Sequence, residues 1–329
     1  MTRAWLLGLG LGLAAPPLAA QETHLLVVSG LSGEPRFAEN FSAWTSQLSA
    51  AARGWGAAAG DIVVLSEQGE GTARSTRENV LRAVAGLGSR AGAQAEVLIV
   101  LLGHGSESGG EARINLPGPD VTARELAAAL DAVRAKRVVV VNTASASGAF
   151  VKPLARPGRI VITATKSGGQ QNETLFPGYF VAALAGSAAD TDKDERVSVL
   201  EAFEYARREV ERAYGSTQRL QTEHALLDAD GDGVGTERPV AASGDGAAAA
   251  LAYFGSAAAR VPAAAPAAAA TPELRALLAE KTELEAALTA LRGRRAELPD
   301  AEYQAELERL LLALSRNGQA IRRLEGGGR

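Results

Sequence analysis

Residues 97–109 read VLIVLLGHGSESG and residues 138–150 read VVVVNTASASGAF. Each stretch opens as an unbroken run of aliphatic residues and then turns abruptly into small ones. A run that is apolar at every position has no solvent face, so each strand must be covered on both sides. A parallel sheet lying between two layers of helices meets that requirement. In such folds ligands and reacting groups gather at the carboxyl ends of the strands. The first run ends in Gly103-His104-Gly105 and the second in Asn142 to Gly148, so these two turns are where chemistry is expected.

The rest of the chain repeats the alternation. Strands are expected at 24–30, 62–67, 96–105, 137–142 and 159–165. Helices are expected at 40–53, 72–91, 122–133, 176–186 and 198–214, each with apolar residues at helical spacing or a recognisable cap. Thr122 followed by Glu125 has the form of a capping box. The expected class is α/β, with a mostly parallel central sheet flanked by helices.

Both ends of the chain differ in character from this middle. Residues 1–20 combine Arg3, an apolar stretch from Ala4 to Ala15 and small residues before Gln21, the form of a secretory signal peptide. The mature chain then has no transmembrane segment and is expected in the periplasm or secreted. Residues 256–270 are an Ala/Pro linker by composition. Beyond it, Leu277, Leu284, Leu288 and Leu291, then Leu307, Leu310, Leu314, Ile321 and Leu324, predict a coiled-coil-like helical hairpin over 271–325, a surface for docking or for a dimer. The α/β domain is placed at 21–255.

Composition narrows the function. With 329 residues and 47% hydrophobic content the chain can bury a large core. A net charge of -4 provides no excess of cations for phosphates, so no nucleic-acid partner is expected. Cysteine is absent, which excludes disulfides, thiolate metal sites and a cysteine nucleophile.

That exclusion matters because the paired motifs resemble the legumain-like cysteine peptidases and, more distantly, the caspases and the catalytic subunit of the GPI transamidase. In that clan one apolar strand ends in His-Gly and the next in Ala-Cys-Glu-Ser-Gly or a close variant. Gly103-His104-Gly105 matches the first motif, and Ala144-Ser145-Ala146-Ser147-Gly148 matches the second with Ser145 at the nucleophile position. The resemblance spans about residues 24–215. It implies a caspase/legumain-like sandwich, an oxyanion-binding turn at Gly105 and Ser145, and a pocket bordered by Thr165, Ser167 and Glu173. A thiol ionises near neutrality, whereas a serine hydroxyl needs an aligned base that is itself oriented by a partner. Asn142 and Glu111 are the candidates to orient His104. His24 and His224 carry no motif and read as ordinary structural or surface residues.

Two aspartate-rich loops stand apart from this site. In 190–201, Asp190, Asp192, Asp194, Arg196, Ser198 and Glu201 follow the spacing of an EF-hand calcium loop, with Glu195 where glycine is expected. In 228–237, Asp228, Asp230 and Asp232 begin the same pattern, but Pro239 occupies the place of the final carboxylate. Structural calcium is the expected cofactor. Three functions follow: a peptidase homologue, inactive or atypical, that keeps a peptide- or partner-binding pocket; a Ser-His hydrolase using Ser145 and His104; and a calcium-stabilised scaffold acting through its helical hairpin.

Overall fold

The structure, a computed structural model, describes residues 22–255, residues 298–326 and separate helical positions between 276 and 291. The expected signal peptide at 1–20 and linker at 256–270 lie outside the described residues. The chain divides into two compact units, one α/β and one C-terminal and helical.

The α/β unit is built on a six-stranded sheet. Its strands are β1 (Thr23–Ser29), β2 (Ile62–Leu65), β3 (Glu96–Leu102), β7 (Arg137–Asn142), β8 (Arg159–Thr163) and β9 (Leu226–Asp228). Their order is β2-β1-β3-β7-β8-β9. Every pairing is parallel except that of β9, which runs antiparallel to β8. The apolar runs explain this placement: β3 and β7 are almost wholly buried and lie side by side in the middle.

Alternate residues of β3 enter opposite cores. Leu98, Val100 and Leu102 pack with α1 (Pro35–Gly54), α5 (Phe176–Ala185) and α6 (Val199–Ser216) through Phe41, Phe180 and Phe203. Val97, Ile99 and Leu101 pack with α2 (Arg77–Arg90), α3 (Ala123–Leu130) and α4 (Val151–Leu154) through Val84, Leu126 and Leu154. A short helix, α7 (Gly244–Ala250), adds Ala249 to the first core. The expected fold class therefore holds: a mostly parallel sheet between two helical layers.

Several boundaries differ from the sequence reading. The strand expected at 96–105 stops at Leu102, because the chain leaves the sheet and begins a second one. That sheet is antiparallel and joins β4 (Gly105–Ser108), β5 (Glu111–Ile114) and β6 (Val121–Thr122) in order. The helix expected from Thr72 begins at Arg77; Gly71–Ala73 forms a 3-10 turn, and Thr76 caps the helix by accepting from the Asn79 N–H. The helix at α1 begins earlier than expected because Pro35 is tolerated in its first turn.

In the C-terminal unit, α8 (Asp300–Gly326) packs on the helical positions before it. Leu310 is buried against Leu288 and Leu291. The Asn317 amide donates to the Leu277 carbonyl at 3.0 Å and to the Glu280 carboxylate at 2.9 Å. Later residues of α8 meet earlier residues of the preceding segment, so the two run antiparallel. No helix among the described residues is long and apolar enough to cross a membrane.

Candidate functional site

Register brings the two turns together. Leu101 on β3 pairs with Asn142 on β7. His104 and Ser145 each follow three residues later, so adjacent parallel strands deliver them to one edge of the sheet. The glycines of both motifs allow the close approach of the turns. A Cβ on Gly105 would lie 2.5 Å from the Ser145 carbonyl oxygen, and one on Gly148 would lie 2.2 Å from the Lys166 carbonyl carbon and the Ser167 nitrogen. Any side chain at either position would displace backbone.

The His104 ring is half-buried on α1, edge-on to Phe37 with centroids 4.7 Å apart, and 6.0 Å from the Phe41 ring. Its Nε2 lies 3.2 Å from the Ser32 carbonyl oxygen. A carbonyl only accepts, so Nε2 is the donor in this contact. The Glu67 carboxylate holds Ser32 in place, accepting from its N–H at 3.0 Å and its hydroxyl at 2.6 Å. The orienting group is thus a backbone carbonyl after β1. Asn142 and Glu111 do not fill that role: Asn142 Oδ1 accepts from the Ala144 N–H, and Glu111 pairs with Arg113.

Ser145 is buried, and its hydroxyl is engaged twice by one residue. Oγ donates to the Gly105 carbonyl at 3.0 Å and accepts from the Gly105 N–H at 3.1 Å. No hydrogen bond joins His104 to Ser145. The structure therefore brings Gly105 and Ser145 together, with the Gly105 N–H pointing at the serine.

The turn continues under tension. Ala146 has φ 55° and ψ 11°, a left-handed conformation uncommon for a residue with a Cβ. Its N–H donates to the Gln170 carbonyl at 2.7 Å. Buried Ser147 accepts from the N–H groups of Ala164 and Thr165, each at 3.1 Å. Thr165 Oγ1 accepts from the Gly148 N–H at 2.9 Å. Thr165, expected to border a pocket, is a buried tie between the ends of β7 and β8. Ser167 and Glu173 are exposed, and Glu173 meets Arg36 at 3.1 Å.

Sequence reasoning missed the groups behind the 166–175 loop. The Gln170 side chain reaches His224 Nδ1 at 2.7 Å. Beside it, the Glu223 carboxylate accepts from the N–H groups of Leu175 and Phe176 at the start of α5, at 2.7 and 3.1 Å. Burial pushes the Glu223 carboxyl up to about 7, against the opposing pull of those two amides. None of the three belongs to a motif; only the arrangement in space marks them.

The aspartate loops form as local structures. Carboxylate oxygens of Asp190, Asp192 and Asp194 come within 4.8 Å of one another, as do those of Asp228, Asp230 and Asp232. Glu195 takes φ 65°, the left-handed turn for which glycine is usual. Ser198 and Glu201 form a reciprocal cap on α6, and Glu201 also accepts from the N–H and hydroxyl of Thr191. Arg196 lies over the Tyr253 ring. In the second loop Asp228 accepts from the N–H groups of Gly231 and Gly233, and buried Asp245 of α7 reaches back to those of Ala229 and Asp230.

No family model matches the chain, and no curated protein matches it. Among solved structures the chain is similar to protein GSU0716 from Geobacter sulfurreducens, with TM-score 0.43 and 14% identity over 63% of this chain and 92% of the other. It is also similar to drICE, a caspase, with TM-score 0.41 and 10% identity over 63% of this chain and 86% of the other. Likenesses at these levels have no bearing on activity, and the architecture stands on its own strand order and register.

Proposed function

We propose that the α/β unit is an exported legumain/caspase-like peptidase homologue that binds a peptide or partner segment at the His104–Ser145 edge without cleaving it. The supporting observation is the double engagement of the Ser145 hydroxyl by Gly105. Attack on a carbonyl requires the hydroxyl to give its proton to a base. Here the hydroxyl donates to a carbonyl, which takes no proton. The N–H that would stabilise an oxyanion is directed at the same serine, so the nucleophile occupies its own oxyanion donor. A peptide carbonyl or carboxylate bound at this edge would take the Gly105 N–H from the serine.

The test is labelling with a fluorophosphonate and a screen of peptide libraries, on the intact protein and on Ser145→Ala and His104→Ala. Neither labelling nor cleavage is expected, while peptide binding persists. Labelling or cleavage that disappears in both variants would establish the Ser-His hydrolase instead. A peptidase activity created by Ser145→Cys would mean that the surrounding machinery is intact.

The third reading, a calcium-stabilised scaffold, draws on the two aspartate clusters, with calcium acting structurally. Partner binding or dimerisation would then fall to 271–325. Light scattering on the chain cut beyond Ala270 should show about half the mass if that segment makes the dimer.

A further inference from the structure

We propose that Gln170 and His224 are positioning residues for the Ser145–Ala146 turn, and that the turn stays closed only while the His224 imidazole is neutral. The inference rests on reading that turn as a binding site and names how the site is regulated.

Hydrogen-bond direction carries the argument. The Lys166 N–H donates to Gln170 Oε1 at 2.8 Å. That bond fixes the orientation of the amide, so Nε2, which only donates, is the atom facing His224 Nδ1 at 2.7 Å. Nδ1 must therefore be an unprotonated acceptor. Protonating the ring puts an N–H opposite an NH2 group, two donors with no acceptor between them, and the contact changes from attractive to repulsive.

The consequence reaches the site through one residue. The Gln170 carbonyl accepts the Ala146 N–H at 2.7 Å, and Ala146 holds a left-handed conformation that a residue with a Cβ keeps only where its surroundings enforce it. The side chain of Gln170 ties its own loop to the segment entering β9, and its backbone ties that loop to the turn. When the first tie is repelled, the second loses its support, and Ala146 relaxes with Ser145 beside it.

The charged and titratable groups around this clip are already engaged. Glu223 faces the amides at the start of α5 and the Tyr214 hydroxyl from α6, with Arg219 5.9 Å from the Tyr214 ring. Glu173 pairs with Arg36 from α1, and Lys166 lies 3.6 Å from Glu237. Uptake of a proton by Glu223 is a separate event that acts on α5, and variants separate the two.

The experiment uses the full-length chain labelled with 15N-alanine and no added peptide, so its outcome is independent of whether the site binds anything. The Ala146 amide is assigned by its disappearance in Ala146→Gly. On acidification it should move with the same midpoint as the His224 ring. His224→Gln, whose side-chain oxygen can still accept from Gln170, should hold the closed position at every pH. His224→Lys, which can only donate, should show the released position throughout, and Glu223→Gln should leave the transition in place. A labelled peptide selected on the wild type should bind about tenfold more weakly in the released state, the factor expected for one lost hydrogen bond. An Ala146 amide that stays still while the His224 ring titrates, or one that titrates unchanged in His224→Gln, overturns the proposal. Failure of peptide binding alone overturns the function assigned to the site and leaves the clip standing.

Discussion

At the scale of single residues, the site is defined by which atom donates to which. Ser145 holds both hydrogen-bonding groups of Gly105, so Ser145→Ala leaves a half-buried N–H and carbonyl without that partner. A loss of about 1–3 kcal/mol in unfolding free energy is expected, measured by urea denaturation. A surface serine of no consequence would give no change. Gly105→Ala should cost more, on the order of 3 kcal/mol, because the new Cβ meets backbone and not a movable side chain. Glu223 adds a pH dependence of known sign. Its folded carboxyl is raised to about 7 from 4.5, so between those values the folded state holds a proton that the unfolded chain has released. The stabilisation is fully present below 4.5 and is lost as the pH rises through about 7. The loss is on the order of 3 kcal/mol. Unfolding free energies at pH 5 and pH 8 should differ by less in Glu223→Gln than in the wild type.

At the scale of elements, caps and register do the positioning. Thr122 and Glu125 form the expected box at the start of α3, each accepting from the other's N–H. Arg77 of α2 adds an ion pair to Glu125, whose carboxyl it holds down at about 2. Thr122→Ala should therefore lower stability by about 1 kcal/mol, and a thermal melt with that shift absent would show that tertiary packing alone holds α3. The β3–β7 register is stricter still: a slip of one residue would exchange the two faces of β7 and separate His104 from Ser145. The β4–β6 hairpin has no comparable signature. Gly105 to Ser108 are polar or small and half-exposed, so no alternation announces a strand there.

At the scale of the whole molecule, the α/β unit carries two cores of its own and the C-terminal unit a third. A chain ending at Gly255 should therefore unfold as one cooperative transition with the helix content of the α/β unit intact, checked by circular dichroism; a gradual, non-cooperative melt would refute this. If calcium binds the aspartate loops, EGTA should lower the melting temperature, and Asp192→Ala should abolish that response. The sequence by itself determined the parallel sheet, its two helical layers and the pairing of His104 with Ser145 at one edge. Apolar runs specify burial on both faces, and equal spacing after two strands survives any docking of the helices. It also placed glycine at Gly105 and Gly148, without showing what those positions had to admit. Only the tertiary structure decided that Ser32 orients the imidazole, that Gly105 engages the serine, and that Gln170 and His224 support the turn. These are backbone acceptors and hydrogen-bond directions between segments far apart in the chain. A backbone carbonyl is the same in every residue, so no residue type can announce it before the chain has folded.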